Sequence, residues 1–410
     1  MFGQSTMKIR LLISALLAAP FIGLSAMAAS APVDFRPVEE PASEAIVRVS
    51  ANSPNIAMVS VATQFRIFAP KEQTQYSTID YEIWDAALSN IVLRLGQSIR
   101  VRASRPNPTV GTRMVKGHKS GYRLEGSRVT FSFLDNSYRV NLTAYRKDLE
   151  RIANEVDISR LARKEQLAFW LNLHNVTLIE QIALNYPVRQ PEKLLVGADK
   201  QPLNEAKLLN IRGVDISLRD IRENIVYPNW SNPDVIYGFF RGNIGGPALQ
   251  NYAFTSHNVD MILKLQAIEF VNSLRGFHES RNALKVSSLY DEARPYYFTD
   301  WSNDLKTHLR KHASPEVLKE LAKDKPLKLD RYDAVVADLL AGDRPSTANL
   351  NVRINGQSQS ARISPEIGRL LRELDQKTRT MRARGMIAKR GTVTIDDIPT
   401  VDVDIPQTEE

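Results

Sequence analysis

The chain has 410 residues, 24% charged and 43% hydrophobic, which is room for two or three average domains and the composition of a water-soluble globular protein. It contains no cysteine, so disulfides, thiolate nucleophiles, cysteine-ligated zinc and iron–sulfur clusters are all excluded. A formal charge of +8 favours an anionic partner and says nothing about fold.

Residues 1–28 read as an export signal: Lys8 and Arg10 precede the uncharged stretch Leu11 to Leu24, and Ala26-Met27-Ala28 offers a signal peptidase its small residues. Pro20 interrupts the stretch, which argues against an uncleaved membrane anchor. Export to the periplasm or the medium makes nucleic acid an unexpected partner. An anionic envelope polymer or a lipid headgroup fits the basic chain better.

Residues 29–76 have no sustained period and read as a flexible leader, with a short extended stretch near Ile56 to Ile67. From Ile79, Trp84, Leu88, Ile91 and Leu95 recur at helical spacing until Gly96. Between Ala86 and Leu124 there is no acidic residue, while Arg94, Arg100, Arg102, Arg105, Arg113, Lys116, Lys119 and Arg123 are basic. Such a run is either a solvated loop or an anion-binding surface. A strand is expected at Val129 to Leu134 and a helix at Asn141 to Val156. The segment Gln166 to Ile179 carries no formal charge and is apolar on nearly every face, so a helix there, extending to Asn185, must lie buried in the middle of a domain.

Leu208 to Ser217 reads as a hairpin turning at Arg212-Gly213, and Ser217 with Asp220 is a capping-box pattern. Val235 to Phe240 is expected as a strand buried on both faces, running into the glycine-rich loop Arg241 to Pro247. Helices follow at about Asp260 to Phe277, Asn303 to His312 and Pro315 to Ala322, with a strand at Leu284 to Val286. Residues 344–410 read as a charged, largely disordered tail with a basic helix over 365–384, its basic and acidic blocks segregated.

The run Ala168-Phe169-Trp170-Leu171-Asn172-Leu173-His174-Asn175 resembles the signature helix of domain-of-unknown-function family 547. Trp84 ahead of it, Leu218 to Ile221 and Pro247 to Leu249 after it, and the late Tyr332-Asp333 stand in the family's order, so the resemblance covers about residues 81–342. It implies an exported bacterial protein with no assigned reaction. Family members commonly have glutamate, histidine and cysteine at the positions of Arg222, Ile236 and Gly246, and tyrosine at that of His174. Their loss here implies a degenerate, binding-only member, or a family whose cysteine and histidine are not catalytic.

Asn172 and Asn175 share a helix face, and their buried amides must bond either backbone or a ligand. His174 is a core residue or a weak acid/base candidate, and Asp333 is the other weak catalytic candidate. The loop is either a tight turn that needs glycine or an anion nest, with Arg241 as its donor fork. The expected ligand-binding set is therefore Trp170, Asn172, Asn175, Tyr237, Arg241, Gly242, Asn243, Gly245 and Gly246. No metal and no cofactor are expected: there is no zinc-binding spacing, and His308 and His312 stand on a basic, surface-like helix.

The expected architecture is α+β: one helix-rich main domain over residues 77–343, around a small sheet with a buried central helix. Its expected activity is non-catalytic or catalytically degenerate binding of an anionic cell-envelope component. The alternative is a cysteine-independent hydrolase or transferase using the loop as an oxyanion or phosphate cradle.

Overall fold

The computed structural model describes residues 62–107, 116–344 and 364–387, and the backbone alone of residues 8–9, 350–354 and 357–361. Apart from the backbone of Lys8–Ile9, the stretch read as a signal falls outside the described residues, as do most of the expected leader and the acidic C-terminal block; the described end of that leader is not extended but a 3-10 helix, Thr63–Phe68, that buries Phe65 and Phe68. No described helix is long and apolar enough to cross a membrane.

Helix α1 (Glu82–Ile91) buries Trp84, Ala87, Leu88 and Ile91, and Trp84 stacks on Tyr145 at 5.7 Å. It stops five residues before Gly96 because Val92–Arg94 turns extended and pairs antiparallel with Ser127–Val129. The strand expected at Val129 to Leu134 is thus mostly a 3-10 turn, Phe131–Phe133. Helix α2 (Asn136–Glu155) starts where the Asp135 side chain accepts from Tyr138 N, and buries one stripe from Tyr138 to Ala153.

Helix α3 (Arg163–Leu184) is the centre of the domain, with 18 of its 22 residues buried. Its uncharged run leaves no solvent face, so neighbours cover it all round: α2, helix α4 (residues 218–229), and helix α5 (Val259–Val271). Helix α4 runs from Leu218–Asp220 through π turns at Ile221–Val226 to Tyr227–Asn229. The Ser217/Asp220 capping box starts it, with Ser217 N donating to Asp220 Oδ2 at 2.7 Å. The π turns precede Pro228, which has no N–H to complete an ordinary α turn.

Val235 to Phe240 is not the expected strand. Pro233–Gly238 is a 3-10 helix, begun by Pro233 and capped by the Asn232 side chain. A run buried on every side has no period, and here the proline and the cap decided its form.

Among the described residues the sheets are small: five two-stranded ribbons and one three-stranded sheet in which Leu284–Val286 lies between Phe277–Glu279, antiparallel, and Leu327–Leu329, parallel. The hairpin Leu209–Ile211 with Val214–Ile216 turns at Arg212 and Gly213, whose φ angles of 52° and 77° are those of a tight left-handed turn. Helices α6 (Leu289–Tyr297), α7 (Trp301–His312) and α8 (Pro315–Leu321) complete an α+β domain.

The expected basic helix, α9 (Pro365–Ala383), is not part of a detached tail. It buries Ile367, Leu370, Lys377 and Met381, and Ile367 and Leu370 join Leu339 and Leu340 in a second apolar cluster. Lys377 Nζ donates to the carbonyls of Leu95 at 2.8 Å and Leu124 at 2.6 Å. Arg123 makes a two-pronged pair with Glu373, 2.7 and 2.8 Å. The helix therefore packs on the acid-free stretch at Leu95 and at Arg123-Leu124.

Candidate functional site

The two signature asparagines clamp backbone on both sides of the glycine-rich loop. Asn175 donates to Gly238 O at 3.0 Å and accepts from Phe240 N at 3.0 Å. Asn172 donates to Phe254 O at 2.7 Å and accepts from Phe254 N at 3.1 Å. These bonds answer the question left open by the sequence: both amides fasten the loop's flanks to α3.

His174 is fully buried beside them, with its ring edge-on to Phe239. Arg222 Nη1 lies 3.0 Å from Nε2, and since a guanidinium only donates, Nε2 is the acceptor and Nδ1 carries the proton toward Asn175 Oδ1 at 3.1 Å. Burial, with Arg222 and Arg241 nearby, pushes the imidazole well below its usual range. His174 is a neutral core residue with both nitrogens committed.

Arg222 belongs to a larger charged cluster. Its Nε donates to Glu292 Oε1 at 3.0 Å, and Arg241 Nη1 donates to Glu292 Oε2 at 3.0 Å. Tyr227 adds its hydroxyl to Oε1 at 3.1 Å. Burial alone would raise the Glu292 carboxyl, but the two guanidiniums outweigh it and hold the group well below the usual carboxylate range. The donor fork expected to meet a ligand is thus closed on Glu292 of α6.

Three of the loop's amides are also committed. Ile244 N donates to Val335 O at 2.8 Å, Gly245 N to Asp333 O at 2.9 Å, and Gly246 N to Asn243 Oδ1 at 3.1 Å. Asn243 Oδ1 also accepts from Tyr332 at 2.6 Å, and its Nδ2 donates to Glu192 at 2.9 Å. Glycine is required by close approach: a Cβ on Gly242, where φ is +76°, would stand 2.6 Å from Ile182 Cδ1. At Gly246 a Cβ would stand 2.9 Å from Arg241 Cβ and 3.0 Å from the Tyr332 hydroxyl. Ile236 is fully buried.

Asp333 accepts from Ser120 Oγ and from Val335 N, and so shapes a turn. Trp170 is buried edge-on against Phe68 and Phe169. Tyr237 is buried with its hydroxyl 2.8 Å from His308 Nε2. His308 and His312 are not on a surface-like face: they are 6% and 5% exposed and stand around Asp234.

Part of the basic stretch is neutralised internally. Arg100 pairs with Glu320 at 2.7 Å and Arg123 with Glu373. Lys116 and Lys119 instead line a groove of about 920 Å³ together with Arg189, Lys193 and Arg344. Asp343 is the one acidic residue of its lining, and it pairs with Arg189. The segments 116–120, 185–194 and 341–344, with Val335, form this groove, and of them only the first carried a signal in the sequence, its freedom from acid.

No curated protein and no solved structure matches the chain. Residues 158–271, from the turn ahead of α3 to the end of α5, match the family described as "Protein of unknown function, DUF547", so this segment, with the signature helix, the loop and their asparagine clamp, is the part of the chain that is similar to that family.

Proposed function

We propose that this chain is an exported, non-catalytic protein that binds a phosphate-bearing anionic component of the cell envelope in the groove between Lys116, Lys119, Lys193 and Arg344. The observation that carries this reading is the groove's charge: five basic residues line it with one acid, which is itself paired. Cations facing one cleft raise the local concentration of an anion and speed its encounter. The reading of residues 1–28 as an export signal, together with the net basic charge, supports an envelope location. The glycine-rich loop supports the fold rather than the ligand in this reading, because the N–H groups of Ile244, Gly245 and Gly246 are spent on Val335, Asp333 and Asn243.

No comparable observation favours the cysteine-independent hydrolase or transferase. Its acid/base candidates, His174 and Asp333, are both held in hydrogen bonds within the fold.

Titration of the purified protein with inorganic polyphosphate tests the proposal. Affinity should fall linearly with the logarithm of salt concentration, as it does when several cations meet one polyanion. The double variant Lys119→Glu/Lys193→Glu should bind at least about tenfold more weakly, at ~1 kcal/mol per basic contact. Unchanged affinity and an unchanged salt slope in that variant would overturn the groove as the site.

A further inference from the structure

Asp234, His308 and His312 lie outside the site described above, and their chemistry is unassigned. His308 and His312 are four residues apart on α7, which places both rings on one face. That face meets the start of the 3-10 helix Pro233–Gly238, where Asn232 Oδ1 accepts from Asp234 N at 3.1 Å and fixes the aspartate's backbone. Asp234 Oδ1 stands 2.8 Å from His312 Nε2 and 3.9 Å from His308 Nδ1. One ligand atom from each of the three residues falls within 4.8 Å of the others.

We propose that Asp234 Oδ1, His308 Nδ1 and His312 Nε2 bind one divalent transition-metal ion of the zinc class. Two imidazoles and one carboxylate suit zinc and its first-row neighbours, whereas calcium and magnesium prefer all-oxygen shells. Ligands about 2.0 to 2.1 Å from a tetrahedral ion stand about 3.3 to 3.4 Å from one another. The two separations to Asp234, 2.8 and 3.9 Å, bracket that value, and the two imidazole nitrogens, within 4.8 Å of each other, draw together by a small side-chain rotation as the ion is bound.

The surroundings are those of a built site. The three side chains are 5%, 4% and 1% exposed. The His308 ring stacks on Tyr237 with 11° between the planes, and its far nitrogen, Nε2, meets the Tyr237 hydroxyl at 2.8 Å. Tyr237 in turn reaches the Tyr290 hydroxyl at 3.2 Å. A partner on the far nitrogen is what orients a ligating imidazole, and here it turns Nδ1 toward Asp234. Three protein ligands leave a fourth position for water. Bound there, the ion ties the segment ahead of the glycine-rich loop to α7. Lys311, 57% exposed, holds its ammonium 3.3 Å from Asp234 Oδ2 and competes with the ion for the same carboxylate.

The test uses the full chain without an affinity tag, stripped with EDTA and titrated with ZnCl2 against a chromophoric chelator. We expect one equivalent per chain, bound more tightly than about 1 µM, and visible d–d bands when CoCl2 replaces zinc. His312→Gln should lose the bound equivalent and the cobalt bands. Lys311→Ala, an exposed substitution that leaves the three ligands in place, should tighten binding several-fold by removing the competing cation. Less than a fifth of an equivalent in the unaltered chain would overturn the proposal whatever the variants do. A full equivalent retained in His312→Gln, or weaker binding in Lys311→Ala, would overturn it as well.

Discussion

Replacing Glu292 by glutamine should destabilise the domain by about 3 kcal/mol, the lower end of the ~3 to 5 kcal/mol that follows when one partner of a buried ion pair is removed. Glu292 takes guanidinium hydrogen bonds from two arginines whose side chains are 1% and 9% exposed, so neither charge reaches water without moving. Glutamine keeps the shape but turns an amide donor toward one guanidinium and leaves two cations facing each other. The carboxylate itself is 24% exposed, and solvent screening at that edge sets the lower end of the range. A loss of this size lowers the melting temperature by roughly 5 °C in a domain of this length. Urea unfolding at pH 7, with Arg219→Gln as the surface control, measures it. Acid supplies a second reading. Burial raises the Glu292 carboxyl, Arg222 and Arg241 lower it more, and the net depression makes the contribution complete above the ordinary glutamate range near ~4.3. It is lost as pH falls through that range toward the folded value. The gap between the unaltered chain and Glu292→Gln should therefore be widest near neutrality and close in acid. A loss under about 1 kcal/mol at pH 7, the worth of a surface pair, would refute the argument that both guanidiniums are sealed from water.

Asn175→Ala should cost about 2 to 4 kcal/mol in the same urea assay, because it strands Gly238 O and Phe240 N without partners inside the core. A cost under 1 kcal/mol would mean that water replaces the clamp. Gly246→Cys would place a Cβ 2.9 Å from Arg241 Cβ, so thermal unfolding should show a destabilisation of about 1 to 3 kcal/mol. Hydrolysis of a nitrophenyl ester by that variant should stay at the level of the unaltered chain, and a gain there would return the loop to a catalytic role.

Features set by neighbours in the chain were legible from the residues alone. The uncharged run from Gln166 to Ile179 dictated a helix with no solvent face, and α3 is buried along its length. Ser217 and Asp220, three residues apart, close the capping box by themselves. The Arg212-Gly213 turn sets the register of its hairpin. Each of these rests on a hydrogen bond or a periodicity spanning a few residues.

Tertiary packing decided what depended on distant partners. Val235 to Phe240 is equally apolar as strand or helix, and its form followed from Pro233 and from what covers it. Arg241 reads as a free anion fork until Glu292, 51 residues further on, closes it. His308 and His312 read as surface residues until α7 brings them against Asp234. The basic helix α9 reads as a tail until Lys377 finds the carbonyl of Leu95, 282 residues away. A residue type declares that a charge or a donor exists. Which partner neutralises it depends on which segments the core draws together, because burial leaves a charge no solvent to pair with and forces it onto whatever the fold places beside it.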